Sequence, residues 1–152
     1  MLVFGILFIV LCCCSFLIYY LINRSGKMSL SEYIDSNKEF QGDQSESTTF
    51  EYYTQRFTSD IEDLVIEKEV SLDEARKIID DFYGSGFNPG DIFIIGFSKS
   101  EDAFIEFSKN DSGKVSMIRI TTPDEYVVEE QKVDFNSAVQ VLELFWNKYG
   151  NQ

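Results

Sequence analysis

An uncharged apolar run opens the chain, and no other feature constrains the molecule as strongly. The first 22 residues, MLVFGILFIVLCCCSFLIYYLI, contain no charged side chain, and Arg24 and Lys27 follow closely. At a rise of ~1.5 Å per residue, a helix over residues 2–22 is about 30 Å long, which matches the hydrocarbon core of a bilayer. Because backbone groups in lipid must bond one another, the run predicts a transmembrane helix over residues 1–22.

The flanks of this predicted span indicate its orientation. Positive residues beside a span tend to stay cytoplasmic, so Arg24 and Lys27 predict a single-pass membrane protein with its N-terminus outside and residues 23–152 in the cytoplasm. A cleaved signal peptide is the alternative, but the chain lacks the basic start, the shorter apolar core and the small-residue cleavage site of such peptides. The cysteines at 12–14 admit either lipidation or simple burial as small apolar side chains.

Outside the apolar run the chain is strongly acidic. Residues 28–152 hold 11 basic and 26 acidic residues, a net charge of −15. This charge argues against a nucleic-acid-binding role, because phosphate binding requires cationic side chains. It favours either solubility alone or a basic protein partner that is attracted by complementary charge. Nothing in the sequence indicates a small-molecule substrate.

Residue types on which many enzymes depend are missing. The chain has no histidine, and its three cysteines all lie in the apolar run. This excludes Ser-His or Cys-His relays and histidine-bound zinc. Adjacent carboxylates such as Asp80-Asp81 point in different directions on a helix, so adjacency alone builds no site. The sequence therefore predicts no enzyme, no cofactor and no metal site; a carboxylate- or metal-dependent enzyme is the remaining alternative.

Composition and periodicity divide the chain into three parts. After the predicted span, residues 23–47 are polar without sustained periodicity and predict a flexible linker. Residues 48–152 predict one acidic α+β domain. A capping box over residues 48–51 predicts a first helix that continues to Val65, and a second box over residues 71–74 predicts another helix.

Four β-rich runs and a last helix complete the predicted domain. Turn sequences of hairpin length separate the runs, which predicts a four-stranded antiparallel meander. Asp134 caps a final helix that Gly150 closes, and this helix packs on the sheet. The four runs are residues 92–97, 103–108, 115–121 and 126–133.

Residues 70–150 also resemble a known class of proteins. DIFIIGF leads through a hairpin into DAFIEFSKNDSGK and then VSMIRIT, and an acidic turn leads into EYVVEEQKVDFNSAVQVLELFWNKYG. The last helix carries Leu142-Glu143-Leu144-Phe145-Trp146. This layout resembles the small acidic α+β immunity proteins of bacterial polymorphic-toxin systems. The resemblance implies tight one-to-one binding that neutralises a basic toxin.

The partner-binding residues are predicted on the acidic side of the meander, where they supply steering and rim contacts. They are Glu101, Asp102, Asp124, Glu125, Glu129 and Glu130. The leading functional prediction is thus a membrane-anchored protein-binding domain of the immunity type. The alternative is a membrane-tethered adaptor or assembly subunit of an envelope complex, without catalytic activity, whose span packs against other helices.

Overall fold

Strands and helices alternate irregularly along the chain, in an α+β arrangement. A computed structural model describes residues 27–41, 48–56, 64–86, 88, 90–123, 126–129 and 133–150. The elements are β1 (Lys27–Met28), α1 (Leu30–Ser36), a 3-10 turn (Lys38–Phe40), β2 (Phe50–Arg56), β3 (Leu64–Val70), α2 (Leu72–Gly84), β4 (Ile92–Ser100), β5 (Ala103–Lys109), β6 (Val115–Thr121), β7 (Tyr126–Glu129) and α3 (Phe135–Gly150).

One sheet contains all the described strands, in the order β1-β7-β6-β5-β4-β2-β3. Strands β4 to β7 form consecutive antiparallel neighbours, because their connections are short. Strand β2 pairs with β4 on one side and with β3 on the other, so β3 is an edge strand. At the opposite edge, β1 pairs in parallel with β7 over two residues.

The helices pack on one face of this sheet, and aromatic side chains hold the two layers together. Trp146 of α3 stacks on Phe50 of β2, with ring centroids 4.0 Å apart and planes 13° from parallel. It also meets Phe97 of β4 edge-on, at 6.1 Å. All three side chains are almost fully buried. Burial of each such side chain contributes about 2–3 kcal/mol relative to exposure, so this contact is a main source of stability.

The starts of the two long helices are confirmed. Ser71 and Glu74 form the predicted capping box, in which the Ser71 backbone N–H donates to Glu74 Oε2 at 3.0 Å and the Glu74 N–H donates to Ser71 Oγ at 3.4 Å. Asp134 Oδ1 accepts a hydrogen bond of 3.0 Å from the Ser137 backbone N–H. Hydrogen bonds from Ser137 lower the pKa of the Asp134 carboxyl. These bonds satisfy backbone donors that have no partner within the helix.

The predicted fold is wrong at its first helix and in its number of strands. The segment from Phe50 onward forms β2 and β3, not a helix, so the described sheet has seven strands and not four. Thr48 does not cap a helix: its hydroxyl donates to the carbonyl of Gly150 at 3.0 Å, and its carbonyl accepts from the indole of Trp146. Contacts between residues about 100 positions apart thus override the local capping pattern.

Residues assigned to the linker take part in the fold where the structure describes them. Residues 27–41 form β1, α1 and the 3-10 turn. Ser29 and Glu32 make a capping box at the start of α1, and the side chains of Leu30 and Tyr33 belong to the main hydrophobic core. Two buried apolar side chains in a polar stretch are enough to dock one short helix on α3 and β7.

The prediction of a membrane-spanning helix, and with it single-pass membrane localisation, is also contradicted. None of the helices in the described part of the chain has the length and apolar character needed to cross a bilayer. Residues 1–22, on which that prediction rests, lie outside the described residues. The orientation inferred from Arg24 and Lys27 is withdrawn together with the span.

Candidate protein-binding surface

The predicted acidic residues are distributed over two connections and one strand of the meander. Glu101 and Asp102 form the exposed turn between β4 and β5, where Ser100 Oγ donates to Asp102 Oδ1 at 2.7 Å. Glu129 ends β7, and its backbone pairs with that of Ile118. The other three, Asp124, Glu125 and Glu130, lie outside the described residues.

Topology brings two of these connections to the same end of the sheet. Phe104, just after the Glu101-Asp102 turn, pairs with Thr121, and Thr121 pairs with Tyr126 at the start of β7. The end of β6 and the start of β7 therefore lie beside the β4–β5 turn, and we call this end of the sheet the acidic end. The backbone of Glu129 lies three residues further along β7, about 10 Å away, so Glu129 lies apart from the Glu101-Asp102 turn.

Two further carboxylates, which sequence analysis missed, lie toward the acidic end. Glu51 of β2 and Glu69 of β3 are directly opposed across the antiparallel pair, and both are exposed. Thr49 Oγ1 donates to Glu69 at 3.1 Å, but among the described residues no lysine or arginine forms an ion pair with either carboxylate. Like charges that face each other across a strand pair are destabilising.

The nearby lysines are engaged elsewhere. Lys68 pairs with Tyr52 on the helix-covered side of the sheet and bonds Glu74 at the start of α2, with Nζ 3.2 Å from Oε1. Lys99 places its Nζ 5.6 Å from the ring centroid of Phe50, on the helix-covered side of the sheet. The repulsion between Glu51 and Glu69 is therefore left in place, where a cation from another molecule would relieve it.

The face of the sheet opposite the helices is a second part of the candidate surface, and we call it the open face. Side chains alternate between the two faces of a strand, and directly paired residues share a face. No helix in the described part of the chain packs on the open face. From β3 to β6 its central row is Ile66, Tyr53, Gly96, Glu106 and Arg119.

Three side chains of the central row form a bonded chain. Tyr53 Oη donates to Glu106 Oε1 at 2.8 Å, and Arg119 Nε donates to Glu106 Oε2 at 2.7 Å. Tyr53 reaches Glu106 across β4 because residue 96 is glycine: a Cβ there would lie 2.0 Å from Tyr53 Cζ. Burial, and then the charge of Glu106, raise the pKa of the Tyr53 phenol, so the phenol stays protonated and donates.

This arrangement is suited to recognition. Each oxygen of Glu106 already accepts from a neighbouring side chain, so the carboxylate is committed to Tyr53 and Arg119. The guanidinium of Arg119 also lies 5.5 Å from the ring centroid of Phe104. Arg119 is thus held between a carboxylate and an aromatic ring, with 38% of its side chain exposed on the open face. A rigid, partly exposed group of this kind is typical of a contact surface.

The exposed apolar side chains are concentrated next to the central row of the open face. Leu64, Val65 and Ile66 of β3 are 53%, 43% and 61% exposed, and among the described residues the only other exposed large hydrophobic side chain is Phe135. Leu64 and Ile66 lie on the open face, because they pair with Gln55 and Tyr53. The surface therefore combines an apolar strip, the Tyr53–Glu106–Arg119 chain and uncompensated carboxylates.

A concave region lies among the helices. A cavity of about 280 Å³ is lined by Gln41, Gln140, Glu143, Leu144 and Asn147. Glu143 there is bonded to Arg76 of α2, at 2.8 Å from Nη2, so its charge is used to join two helices. Within the described residues no group of three or more histidine, cysteine or acidic side chains is placed to hold a metal ion.

Comparison of the chain with protein-family models, with curated proteins and with solved structures finds no match. The resemblance to immunity proteins is therefore neither supported nor opposed by these comparisons.

Proposed function

We propose that this chain is a protein-binding domain whose partner is basic, and that binding occurs at the acidic end and the adjoining open face. The observation that carries the proposal is the exposed pair Glu51 and Glu69, opposed across β2 and β3 without a cation among the described residues. Such a pair weakens the isolated domain. A lysine or arginine of a partner removes that penalty, so the pair favours the complex over the free chain.

Charge and apolar surface have separate roles in this proposal. The chain carries a net charge of −13, which accelerates encounter with a basic protein and makes association depend on salt. Leu64, Ile66 and the exposed part of Arg119 supply the contact that persists after encounter. Glu101 and Asp102 lie at the rim, where charge affects the association rate more than the lifetime of the complex.

Neutralisation of a toxin is the most specific version of the proposal. The acidic α+β layout that resembles immunity proteins motivates it, and one-to-one occlusion of a basic partner is the mechanism that it implies. In this version the domain acts by covering the partner's own site, so no chemical step is required of the acidic chain.

The test uses the full-length chain and two charge-reversal variants. Glu51→Lys with Glu69→Lys alters the proposed site, and Asp80→Lys with Asp81→Lys alters an exposed acidic pair on α2. Both variants change the net charge from −13 to −9, so they match in overall electrostatics. Tagged chains capture partners from the source cells, and each captured protein is then purified and titrated by calorimetry at low and high salt.

We expect a single basic protein that binds one-to-one, at least tenfold more weakly to the Glu51/Glu69 variant than to the Asp80/Asp81 variant. If this partner arrests growth on expression, co-expression of the wild-type chain should restore growth. Equal weakening in both variants, or an acidic partner, would contradict the site. Recovery of several subunits of one complex would instead favour the adaptor function over neutralisation.

A further inference from the structure

Among the described strands, β3 is paired along one side of its backbone only. It pairs with β2 through six residue pairs, and no described strand lies beyond it. All of its seven residues except Val70 are exposed. An edge strand of this length presents a row of backbone N–H and C=O groups that can pair with another extended chain.

The first part of β3 lacks the usual protection of an edge. Proteins commonly guard edge strands with charged residues, proline or short length. Leu64, Val65 and Ile66 are consecutive, apolar and 43–61% exposed. They lie on alternating sides, with Leu64 and Ile66 toward the open face and Val65 toward the helices. An added strand would cover apolar surface on both sides of the sheet at once.

The second part of β3 is charged in a way that selects what can pair. Glu67 and Glu69 are both exposed, and the register of β3 against β2 shifts between Tyr52 and Tyr53, at Glu67. Thr54 Oγ1 donates to Glu67 at 3.0 Å, which directs this carboxylate toward the helix-covered side. A neighbouring strand would therefore meet the carboxylate of Glu69 on the open face. On the helix-covered side it would meet Glu67 beside Lys68, whose charge is already paired with Glu74.

These charges disfavour a second copy of the chain as the occupant of the β3 edge. A second copy paired through β3 would bring two sets of glutamates together, and each copy carries a net charge of −13. The charge complementarity of β3 points to a basic chain from another molecule.

We infer that β3 is a strand-addition site, at which an extended segment of the basic partner pairs with residues 64–70. Apolar side chains of that segment lie beside Leu64, Val65 and Ile66, and its lysine or arginine side chains lie beside Glu67 and Glu69. Backbone hydrogen bonds supply affinity in this mode of recognition, and side-chain alternation supplies specificity. The inference rests on the proposed function and adds the manner of contact.

The test probes β3 with a library of 12-residue peptides displayed on phage and selected on the full-length chain. Amide hydrogen exchange is then measured by mass spectrometry, on the free chain and with the most enriched peptide in synthetic form. We expect enriched peptides in which basic and apolar residues alternate. Their binding should slow exchange in β3 at least tenfold and leave the amides of α2 unchanged.

Two proline variants test whether the outward backbone is used. Adjacent N–H groups of a strand point to opposite sides, so only one of Val65→Pro and Ile66→Pro removes a bond to β2. The variant that keeps the wild-type melting temperature has lost the outward donor, and it should bind the peptide at least tenfold more weakly. Even if neither proline variant folds, the exchange measurement on the wild-type chain shows whether a bound peptide pairs with β3.

Each other outcome overturns the inference. Peptides that bind without protecting β3 would exclude strand addition, and peptides that protect β3 but lack basic residues would exclude a basic partner. Protection of β3 in the free chain would show that the chain covers its own edge, and protection that grows with protein concentration would show pairing between copies. Strand addition also fails if the captured basic partner leaves exchange in β3 unchanged, whereas the proposed function fails if no basic partner binds or if the Glu51/Glu69 and Asp80/Asp81 variants weaken its binding equally.

Discussion

The hydroxyl of Tyr53 reaches across β4 to the carboxylate of Glu106, at a distance of 2.8 Å. The phenol ring passes over Gly96, the residue between them in the central row of the open face. A side chain at position 96 and this hydrogen bond exclude each other. The glycine is thus required for a long-range polar contact, not for a turn.

Gly96→Ala should destabilise the protein by about 1–3 kcal/mol, because its Cβ displaces the Tyr53 ring. Urea denaturation of the purified chain measures the loss. In a Tyr53→Ala background the same substitution meets no ring, so its cost should fall to a few tenths of a kcal/mol. An equal loss of stability in both backgrounds would show that the strain does not come from contact with the Tyr53 ring.

Arg119→Met should leave the buried carboxylate of Glu106 without its cation. Loss of one partner of a buried pair costs ~3–5 kcal/mol, and the partial exposure of Arg119 reduces this to about 2 kcal/mol. Adding Glu106→Gln removes the unpaired charge and should recover much of the stability. The double-mutant cycle is measured by denaturation, and additive losses would show that the two residues do not interact.

Tyr33→Ala should destabilise the whole domain by about 3–5 kcal/mol, since Tyr33 is fully buried in the main core. Ser31→Ala, two residues away on the exposed side of α1, is the control and should change stability by less than about 0.5 kcal/mol. If Tyr33→Ala were equally mild, residues 27–41 would behave as the linker that their polar composition indicates.

Alkaline pH should destabilise the protein through its buried phenols. Burial raises the pKa of Tyr53 and of Tyr83, with smaller contributions from Glu106 and Asp134 respectively. The folded state therefore holds these protons more tightly than the unfolded state does. Their contribution to stability is complete below the unfolded pKa of about 10 and is lost as the pH rises above it.

Stability should consequently fall from about pH 10 upward, and phenolate absorbance should rise with unfolding. Tyr53→Phe with Tyr83→Phe should flatten this decline. An unchanged slope in the variant would show that other groups govern the alkaline transition.

Local sequence signals were sufficient to predict those helices that are amphipathic and capped. Helix α2 begins at the predicted Ser71–Glu74 box, and α3 begins after Asp134, because both caps act within one turn of the helix. Strands β4 to β7 also follow from alternation and short turns. These elements need no information from distant residues.

The sequence-based predictions were wrong where contacts between residues far apart in the chain decide the structure. Phe50, Tyr53 and Val65 recur at helical spacing, yet Phe50 stacks on Trp146 and Tyr53 bonds Glu106, contacts that only a strand can make together. The same misassignment hid the opposition of Glu51 and Glu69, which exists only once β2 and β3 pair. Sequence analysis therefore named acidic residues at the rim of the candidate surface, such as Glu101 and Asp102, but missed Glu51 and Glu69 at its centre.

The two edges of the sheet are unequal, and this limits how the molecule can assemble. In the part of the chain that the structure describes, β1 pairs through two residues at one edge, whereas β3 offers seven at the other. Open-ended polymers built by strand pairing need two long edges on every unit, so that each addition creates the next point of attachment. A unit with a single long edge terminates growth at the first addition, and assemblies formed through β3 should be finite pairs rather than fibres.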